Sequence, residues 1–247
     1  MKLFSVWLLT CLLASPSSGM AVEPDWNDYG RLLARNVHRG IKHGVSLNLV
    51  DYTALKQSGE VDRVAAQLAA FPLEKLSTRE ERLAFYINAY NVLAMKVVLD
   101  HWPVASIKDA GSLISPVWKK PAGQLGGKTV TLDELEHRLL RPMGELRIHF
   151  AIVCASISCP DLRAEPYRAA QLDAQLHDQI GQFLANPDKG LKVEEQTVRV
   201  SKIFDWFDAD FDQAGGVEAF IRSVRKDLPQ GLPVKASLPY DWALNGG

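Results

Sequence analysis

The feature that most constrains the fold is a long apolar segment in the middle of the chain, RLAFYINAYNVLAMKVVL. The residues before it, Ser77 to Glu80, have the spacing of a capping box, which indicates that a helix begins there, and Pro103 indicates that it has ended. The predicted helix, residues 79–100, is apolar almost all round, and such a helix is normally buried inside a domain. Asn88 and Asp100 are among the polar residues that interrupt it, and they argue against a membrane span.

The remaining segments mix helices with short strands, without the regular alternation of strand and helix that is typical of α/β proteins. Helical spacing and capping signals predict helices over residues 25–43, 61–70, 132–140 and 168–185, and a last helix near the C-terminus. Hairpins are predicted at LGGKTVTL and LKVEEQTVRVS, an extended segment from residue 45, and a strand buried on both faces over residues 147–153. We therefore predict an α+β fold, a helix-rich single domain around a small β-sheet with a buried central helix.

The N-terminus has the three parts of a secretory signal peptide. Lys2 is basic, Leu3 to Ala14 form a short apolar core, and small residues precede a cleavage site after Ala21. We predict a signal peptide over residues 1–21 and a periplasmic or secreted protein. The alternative is a lipoprotein signal with Cys11 as the lipidated residue, although the small residue usual just before such a cysteine is missing.

The mature chain is predicted to have an N-terminal helical segment, residues 22–44, and a globular domain, residues 45–247. The formal net charge of the whole chain is −1 at pH 7. A near-neutral chain gives no reason to expect nucleic-acid binding. We expect an unknown small molecule or peptide as the partner, no nucleic acid, no membrane span in the mature chain and no cofactor.

The segment HFAIVCASISCP, His149 to Pro160, carries the most chemistry. Cysteines Cys154 and Cys159 remain once the signal peptide is removed, and an exported protein can oxidise such a pair to a disulfide. The spacing lacks the short C-x₂-C pattern that is typical of zinc sites, so we predict no metal there. Residues 208–212, DADFD, lack the glycine and terminal glutamate of a calcium loop, and we interpret them as a solvated turn.

A second interpretation makes Cys154 a nucleophile, which requires a nearby base to favour the thiolate. His149 and His137 are the candidate bases, and Glu136 or Asp133 could orient an imidazole. Side chains alternate on a regular strand, so His149 and Cys154, five residues apart, would point to opposite faces. We therefore favour His137 as the base if the strand is regular, and His149 if it bulges.

Polar residues elsewhere extend this hypothesis. Asn88 could orient an imidazole or donate to an oxyanion, and Asn91 lies on the same face of the central helix. Buried amides demand partners, so both could instead hold loop backbone, for example in residues 104–118. Arg163 could bind a carboxylate or phosphate through two hydrogen bonds. It could equally form an ion pair with a nearby acid, namely Asp161, Glu165 or Glu136.

Four segments in this order resemble the DUF547 family, a domain of unknown function: FYINAYNVLAMKVVLDHWP, LDELEHRLLR, RIHFAIVCASISCPDLR and SKIFDW. The resemblance extends over about residues 45–212. It implies one globular domain and, for bacterial members with a signal peptide, export. It implies no activity. From the residues themselves, the leading hypothesis is a thiol-dependent hydrolase or acyl transferase with Cys154 as nucleophile. The alternative is a non-catalytic periplasmic binding or accessory protein with a Cys154–Cys159 disulfide.

Overall fold

The computed structural model describes residues 24–112 and 114–247. The fold is α+β and helix-rich, as predicted, but three small sheets replace the single predicted sheet. The main helices are α1 (Asn27–Asn36), α2 (Tyr52–Ser58), α3 (Glu60–Ala70), α4 (Arg79–Asp100), α5 (Leu132–Glu134), α6 (Leu172–Ala185), α7 (Ile203–Trp206) and α8 (Val217–Val224). The strands are β1 (Val37–Lys42), β2 (Val45–Val50), β3 (Pro121–Leu125), β4 (Lys128–Thr131), β5 (Leu191–Glu194), β6 (Thr197–Val200) and β7 (Val234–Ala236).

Helix α4 forms the centre of the main hydrophobic core, as its composition predicted. The side chains of Phe85, Ile87, Val92, Leu93 and Leu99 are buried. By length and composition α4 could cross a membrane, but 83% of its most apolar window is buried inside the protein. A helix buried in a protein core is apolar on all sides, as a membrane-spanning helix is. The burial of α4 therefore accounts for its apolar composition.

The capping box of α4 lies one residue later than predicted. Thr78, rather than Ser77, is the N-cap, and its side chain accepts a hydrogen bond from the backbone amide of Glu81. The Glu81 carboxylate accepts from the backbone amides of both Ser77 and Thr78, at 2.7 and 2.9 Å. The Ser77 hydroxyl also bonds to this carboxylate, at 3.0 Å, which draws Ser77 away from the capping position.

The prediction of one helix over residues 25–43 is wrong beyond Asn36. The chain continues as β1 and pairs with β2 in an antiparallel hairpin whose turn is Lys42 to Val45, with Gly44 at φ 79°. Cross-strand pairing overrides the helical spacing of these residues, because spacing is only a weak preference. Helix α1 places Trp26 and Leu33 in the same core as α4.

The predicted buried strand over residues 147–153 is also wrong. Leu146–Phe150 is a turn of 3₁₀ helix, and the chain then turns again. Asn91 on α4 makes the hydrogen bonds that a neighbouring strand would make: its amide donates to the carbonyl of Ala151 at 3.0 Å and accepts from the amide of Val153 at 2.8 Å. A short apolar run cannot be assigned to strand or buried helix by periodicity alone.

The other predicted elements are confirmed with shifted bounds. The hairpin β3–β4 turns at Gly126 and Gly127, whose φ angles are 53° and 77°. Hairpin β5–β6 is extended by β7, which pairs parallel to β6. Beyond α5, residues 135–140 continue as a π-helical turn, and α6 begins at Leu172 after a short 3₁₀ turn.

The last residues of the chain position part of the site. They run antiparallel to residues 154–160, which we call the cysteine loop. The amide of Ile157 donates to the carbonyl of Ala243 at 2.9 Å, and the amide of Asn245 donates to the carbonyl of Ala155 at 2.9 Å. This pairing brings Tyr240 beside the two cysteines.

Candidate functional site

One cavity, of about 280 Å³, brings together most of the chemistry-bearing residues. We call it the aromatic pocket. Its aromatic wall is formed by Tyr90, Trp118, Trp206, Phe207, Tyr240 and Trp242. Its polar and sulfur-bearing residues are Glu136, His137, His149, Cys154 and Cys159. Six parts of the chain contribute residues to the pocket: α4, the π-helical turn, the 3₁₀ turn, the cysteine loop, α7 and the C-terminal segment. The pocket therefore depends on the tertiary fold.

Cys154 and Cys159 form a disulfide, with their α-carbons 6.2 Å apart. The Tyr240 hydroxyl lies 3.3 Å from each sulfur. Burial raises the pKa of this hydroxyl, so it stays protonated and can donate a hydrogen bond. Ala155, directly after Cys154, has φ 58°, a left-handed conformation that is costly for alanine. Strain of this kind is often found at functional sites.

His149 is held in one orientation and one protonation state. Its Nε2 lies 2.8 Å from Oδ2 of Asp210, and its ring stacks on Phe207 with centroids 4.2 Å apart. The side chain is 1% exposed, and burial lowers the pKa of His149 to about 4, although Asp210 opposes this. The imidazole is therefore neutral near pH 7, with Nε2 donating to Asp210. Its Nδ1 is buried and has no hydrogen-bond partner among the described residues.

Asp210 also binds Arg141, and this ion pair extends the network to His137. Arg141 donates two hydrogen bonds to the Asp210 carboxylate, at 2.7 and 2.5 Å. A guanidinium nitrogen of Arg141 lies 2.8 Å from Nδ1 of His137. Because a guanidinium has only donors, Nδ1 of His137 accepts and its proton lies on Nε2, which is 3.8 Å from Asp133. Burial lowers the pKa of His137, with Asp133 opposing. The nitrogen of His137 that could accept a proton from Cys154 thus already accepts a hydrogen bond from Arg141.

Glu136 faces the pocket as a buried acid. It is 8% exposed, and burial raises its pKa to about 7, with Arg141 opposing and Asp133 supporting the shift. The Tyr90 hydroxyl donates a hydrogen bond to it, and Tyr90 in turn accepts one from Trp118. Glu136 does not orient an imidazole here, since the carboxylate that holds His149 is that of Asp210.

The family model of DUF547, described as a protein of unknown function, matches residues 73–184. The chain carries a DUF547 domain. The resemblance noted in the sequence is thereby confirmed over residues 73–184, which contain three of the four segments; SKIFDW lies downstream of the match. The comparison with curated proteins found no match, and neither did the comparison with solved structures. The matched residues of the DUF547 domain include Glu136, His149 and both cysteines, whereas Asp210 and Tyr240 lie downstream of the match.

Three residues proposed for the site from sequence lie outside the lining of the aromatic pocket. Asn88 bonds to the backbone of Tyr167, donating to its carbonyl at 2.8 Å and accepting from its amide at 2.9 Å. Asn91 holds the backbone just before Cys154, rather than residues 104–118. Arg163 forms ion pairs with Glu165, as one alternative predicted, and with Asp178. All three side chains thus hold the DUF547 domain together.

Sequence reasoning missed Asp210, Arg141, Tyr240 and the tryptophans of the wall. The sequence pattern places Asp210 in a solvated turn, and no local pattern links it to Arg141, which lies 69 positions earlier. The one available signal was the density of aromatic residues in the segments FDWF and PYDW. Within the described residues, no group of three or more His, Cys, Asp or Glu side chains is placed to hold a metal ion.

Proposed function

We propose that this DUF547 protein is an exported thiol-dependent hydrolase or acyl transferase, with Cys154 as the nucleophile once the disulfide is reduced. One observation carries the proposal. Nε2 of His149 is bonded to Asp210, its buried Nδ1 has no partner in the part of the chain that the structure describes, and the side chain lines the same pocket as Cys154. An imidazole oriented by a carboxylate on one nitrogen and free on the other is the base that a thiol nucleophile requires.

The reaction would begin with reduction. A dithiol reductant converts the Cys154–Cys159 disulfide to two thiols and is itself oxidised to a disulfide. His149, neutral through burial, accepts the Cys154 proton, and Asp210 stabilises the resulting imidazolium. The thiolate attacks the acyl carbon and forms a thioester, and the leaving group takes the proton from His149. Water or another acceptor then releases the acyl group and restores the thiol.

The rival function is a non-catalytic periplasmic binding or accessory protein. The observation that favours it is the disulfide itself, because the sulfur of Cys154, the proposed nucleophile, is bonded to Cys159. In an oxidising compartment such a bond persists unless a specific reductant reaches it. The aromatic wall would then serve ligand binding alone. Both functions use the same pocket, and the reactivity of Cys154 distinguishes them.

The test is alkylation of a Cys159→Ser variant, which frees Cys154 without a reductant. We expect iodoacetamide to modify Cys154 near neutral pH faster than it modifies a free cysteine, because a base lowers the pKa of the thiol below the usual value of about 8.5. His149→Gln and Asp210→Asn should slow the reaction, and His177→Gln, on an exposed face of α6, should not. Circular dichroism checks that each variant is folded. Alkylation no faster than that of free cysteine would leave the binding function as the explanation.

Export is part of the proposal and rests on the N-terminal sequence. The predicted signal peptide, residues 1–21, lies outside the described residues. N-terminal sequencing of the protein from a periplasmic or culture fraction should find Val22 as the first residue. A chain that starts at Met1 would contradict export through this signal, and a lipid on Cys11 would support the lipoprotein alternative.

A further inference from the structure

The wall of the aromatic pocket has the features of a cation-binding site. Trp206, Tyr240 and Trp242 contact one another with ring centroids 4.7, 5.6 and 4.6 Å apart. Trp206 is 45% exposed, so the wall is open to solvent on that side. The faces of tryptophan and tyrosine rings attract ammonium groups through their negative π-electron density.

The chain itself shows that this wall accepts an ammonium group. Nζ of Lys108 lies 3.5 Å from the centre of the Trp242 ring. Lys108 is not part of the pocket lining, so it leaves the rings that face the cavity available to a ligand. An external amine would therefore repeat, inside the pocket, a contact that the protein already makes.

Among the described residues that line the pocket, one is acidic, Glu136. Glu136 is 8% exposed, and its donor, the Tyr90 hydroxyl, is uncharged. Among the ion pairs of the described residues, none involves Glu136. Arg141 directs its hydrogen bonds to the Asp210 carboxylate and to His137. Nδ1 of His149 is a buried atom with no hydrogen-bond partner among the described residues, and it can accept a hydrogen bond. Glu136 thus lacks a charged donor, and Nδ1 of His149 lacks any donor among the described residues. A protonated amine supplies a positive charge and up to three donors.

We propose that the aromatic pocket binds substrates that carry a primary ammonium group, with the group against the wall of Trp206, Tyr240 and Trp242 and the Glu136 carboxylate as its counter-ion. This inference rests on the proposed function, for which it names the substrate class: an acyl compound or acceptor bearing a free amine. A purely apolar ligand of similar size would leave the Glu136 carboxylate without a counter-ion and the Nδ1 atom of His149 without a donor from the ligand.

The experiment uses the oxidised protein, with its disulfide intact, at pH 8, where the Glu136 carboxyl is mostly ionised. The probes are n-butylammonium and 1-pentanol, which have similar lengths and differ in charge. Binding is measured by calorimetry and by tryptophan fluorescence. We expect the ammonium to bind at least about tenfold more tightly than the alcohol, the difference expected for a charge-assisted hydrogen bond. Glu136→Gln should remove most of this preference, and Glu195→Gln, in the exposed turn of hairpin β5–β6, should not change it.

A second variant tests the wall. Trp206→Leu keeps an apolar side chain at a partly exposed position and removes the π-electron face, so it should weaken binding of the ammonium more than binding of the alcohol. Equal affinities for the two probes, or an ammonium preference that survives Glu136→Gln, would overturn the inference. Because these measurements do not use the Cys154 thiol, they fail independently of the proposed function. A pocket that binds ammonium in a protein whose free Cys154 is inert would support this inference and favour the binding function.

Discussion

Replacing Glu136 by glutamine tests the electrostatics of the aromatic pocket without reference to any function. Glutamine has nearly the same shape and cannot ionise. In the parent protein, burial raises the pKa of Glu136 from its ordinary value of 4.5 to about 7. The folded state therefore holds this proton more tightly than the unfolded state does, and the free energy of unfolding falls as the pH rises from about 4.5 to about 7.

The size of the effect follows from the shift. A tenfold change in proton affinity is worth about 1.4 kcal/mol, so the ionisation of Glu136 costs the folded state about 3 kcal/mol by about pH 8. The Glu136→Gln variant avoids this loss. The difference in unfolding free energy between variant and parent should thus increase by about 3 kcal/mol between about pH 4 and pH 8, in favour of the variant.

His149 acts in the opposite direction in the same protein. Burial lowers its pKa from 6.5 to about 4, so the unfolded state binds more protons in that interval and stability increases with pH. The two shifts are similar in size. In the parent, the effects of Glu136 and His149 on the free energy of unfolding should therefore nearly cancel between about pH 4.5 and 6.5. In Glu136→Gln only the effect of His149 remains, so the free energy of unfolding should rise with pH.

The assay is urea unfolding of the oxidised proteins, followed by tryptophan fluorescence at several pH values. Subtracting parent from variant at each pH cancels the titration of His149 and of every other group that the substitution leaves alone. Glu195→Gln, at an exposed position, is the control for the effect of the substitution itself. A Glu136→Gln difference that does not change with pH would refute the claim that this carboxyl is protonated by burial.

Two further sets of substitutions test the packing. Leu93→Ala should cost about 2–5 kcal/mol in unfolding free energy, since Leu93 is fully buried. Gly123→Ala should also destabilise, because a Cβ there would lie 2.5 Å from Cδ2 of Leu93; its cost should fall when Leu93 is already alanine, and additive costs in urea unfolding would contradict this contact. Lys189→Met should cost about 3–5 kcal/mol, because it removes the buried partner of Asp161, whereas exposed Lys192→Met should change the value by under about 0.5 kcal/mol. An unfolding free energy for Lys189→Met within error of the parent would mean that Asp161 needs no buried partner.

How far the fold could be predicted depended on whether the signal was local. Helix α4 has its cap, its apolar character and its terminating proline in neighbouring residues, and it was predicted at its observed bounds. Residues 147–153 carry only an apolar run, which suits a strand and a buried turn equally. What decides between them is the amide of Asn91, which lies about 60 positions away in sequence. No local pattern contains that contact.

In the site, too, residues with a local sequence signal could be predicted and residues linked by long-range contacts could not. The segment around Cys154 could be singled out because histidine and cysteine are rare in an apolar run. The strand-parity argument against pairing His149 with Cys154 failed because the strand does not exist, and both residues line one pocket. Asp210, the residue that orients His149, lies 61 positions downstream. Its role became visible only when the fold brought the two side chains together.

The cysteine loop is held in place by contacts that do not involve its disulfide. The amide of Ile157 and the carbonyl of Ala155 pair with the C-terminal segment. From the other side, the buried ammonium of Lys189 donates to the carbonyl of Cys159 at 2.7 Å. A disulfide that closes so short a loop contributes little chain entropy. The contacts with Lys189 and the C-terminal segment would remain after reduction and keep Cys154 at the aromatic pocket. The disulfide bond therefore has a larger effect on the reactivity of Cys154 than on its position.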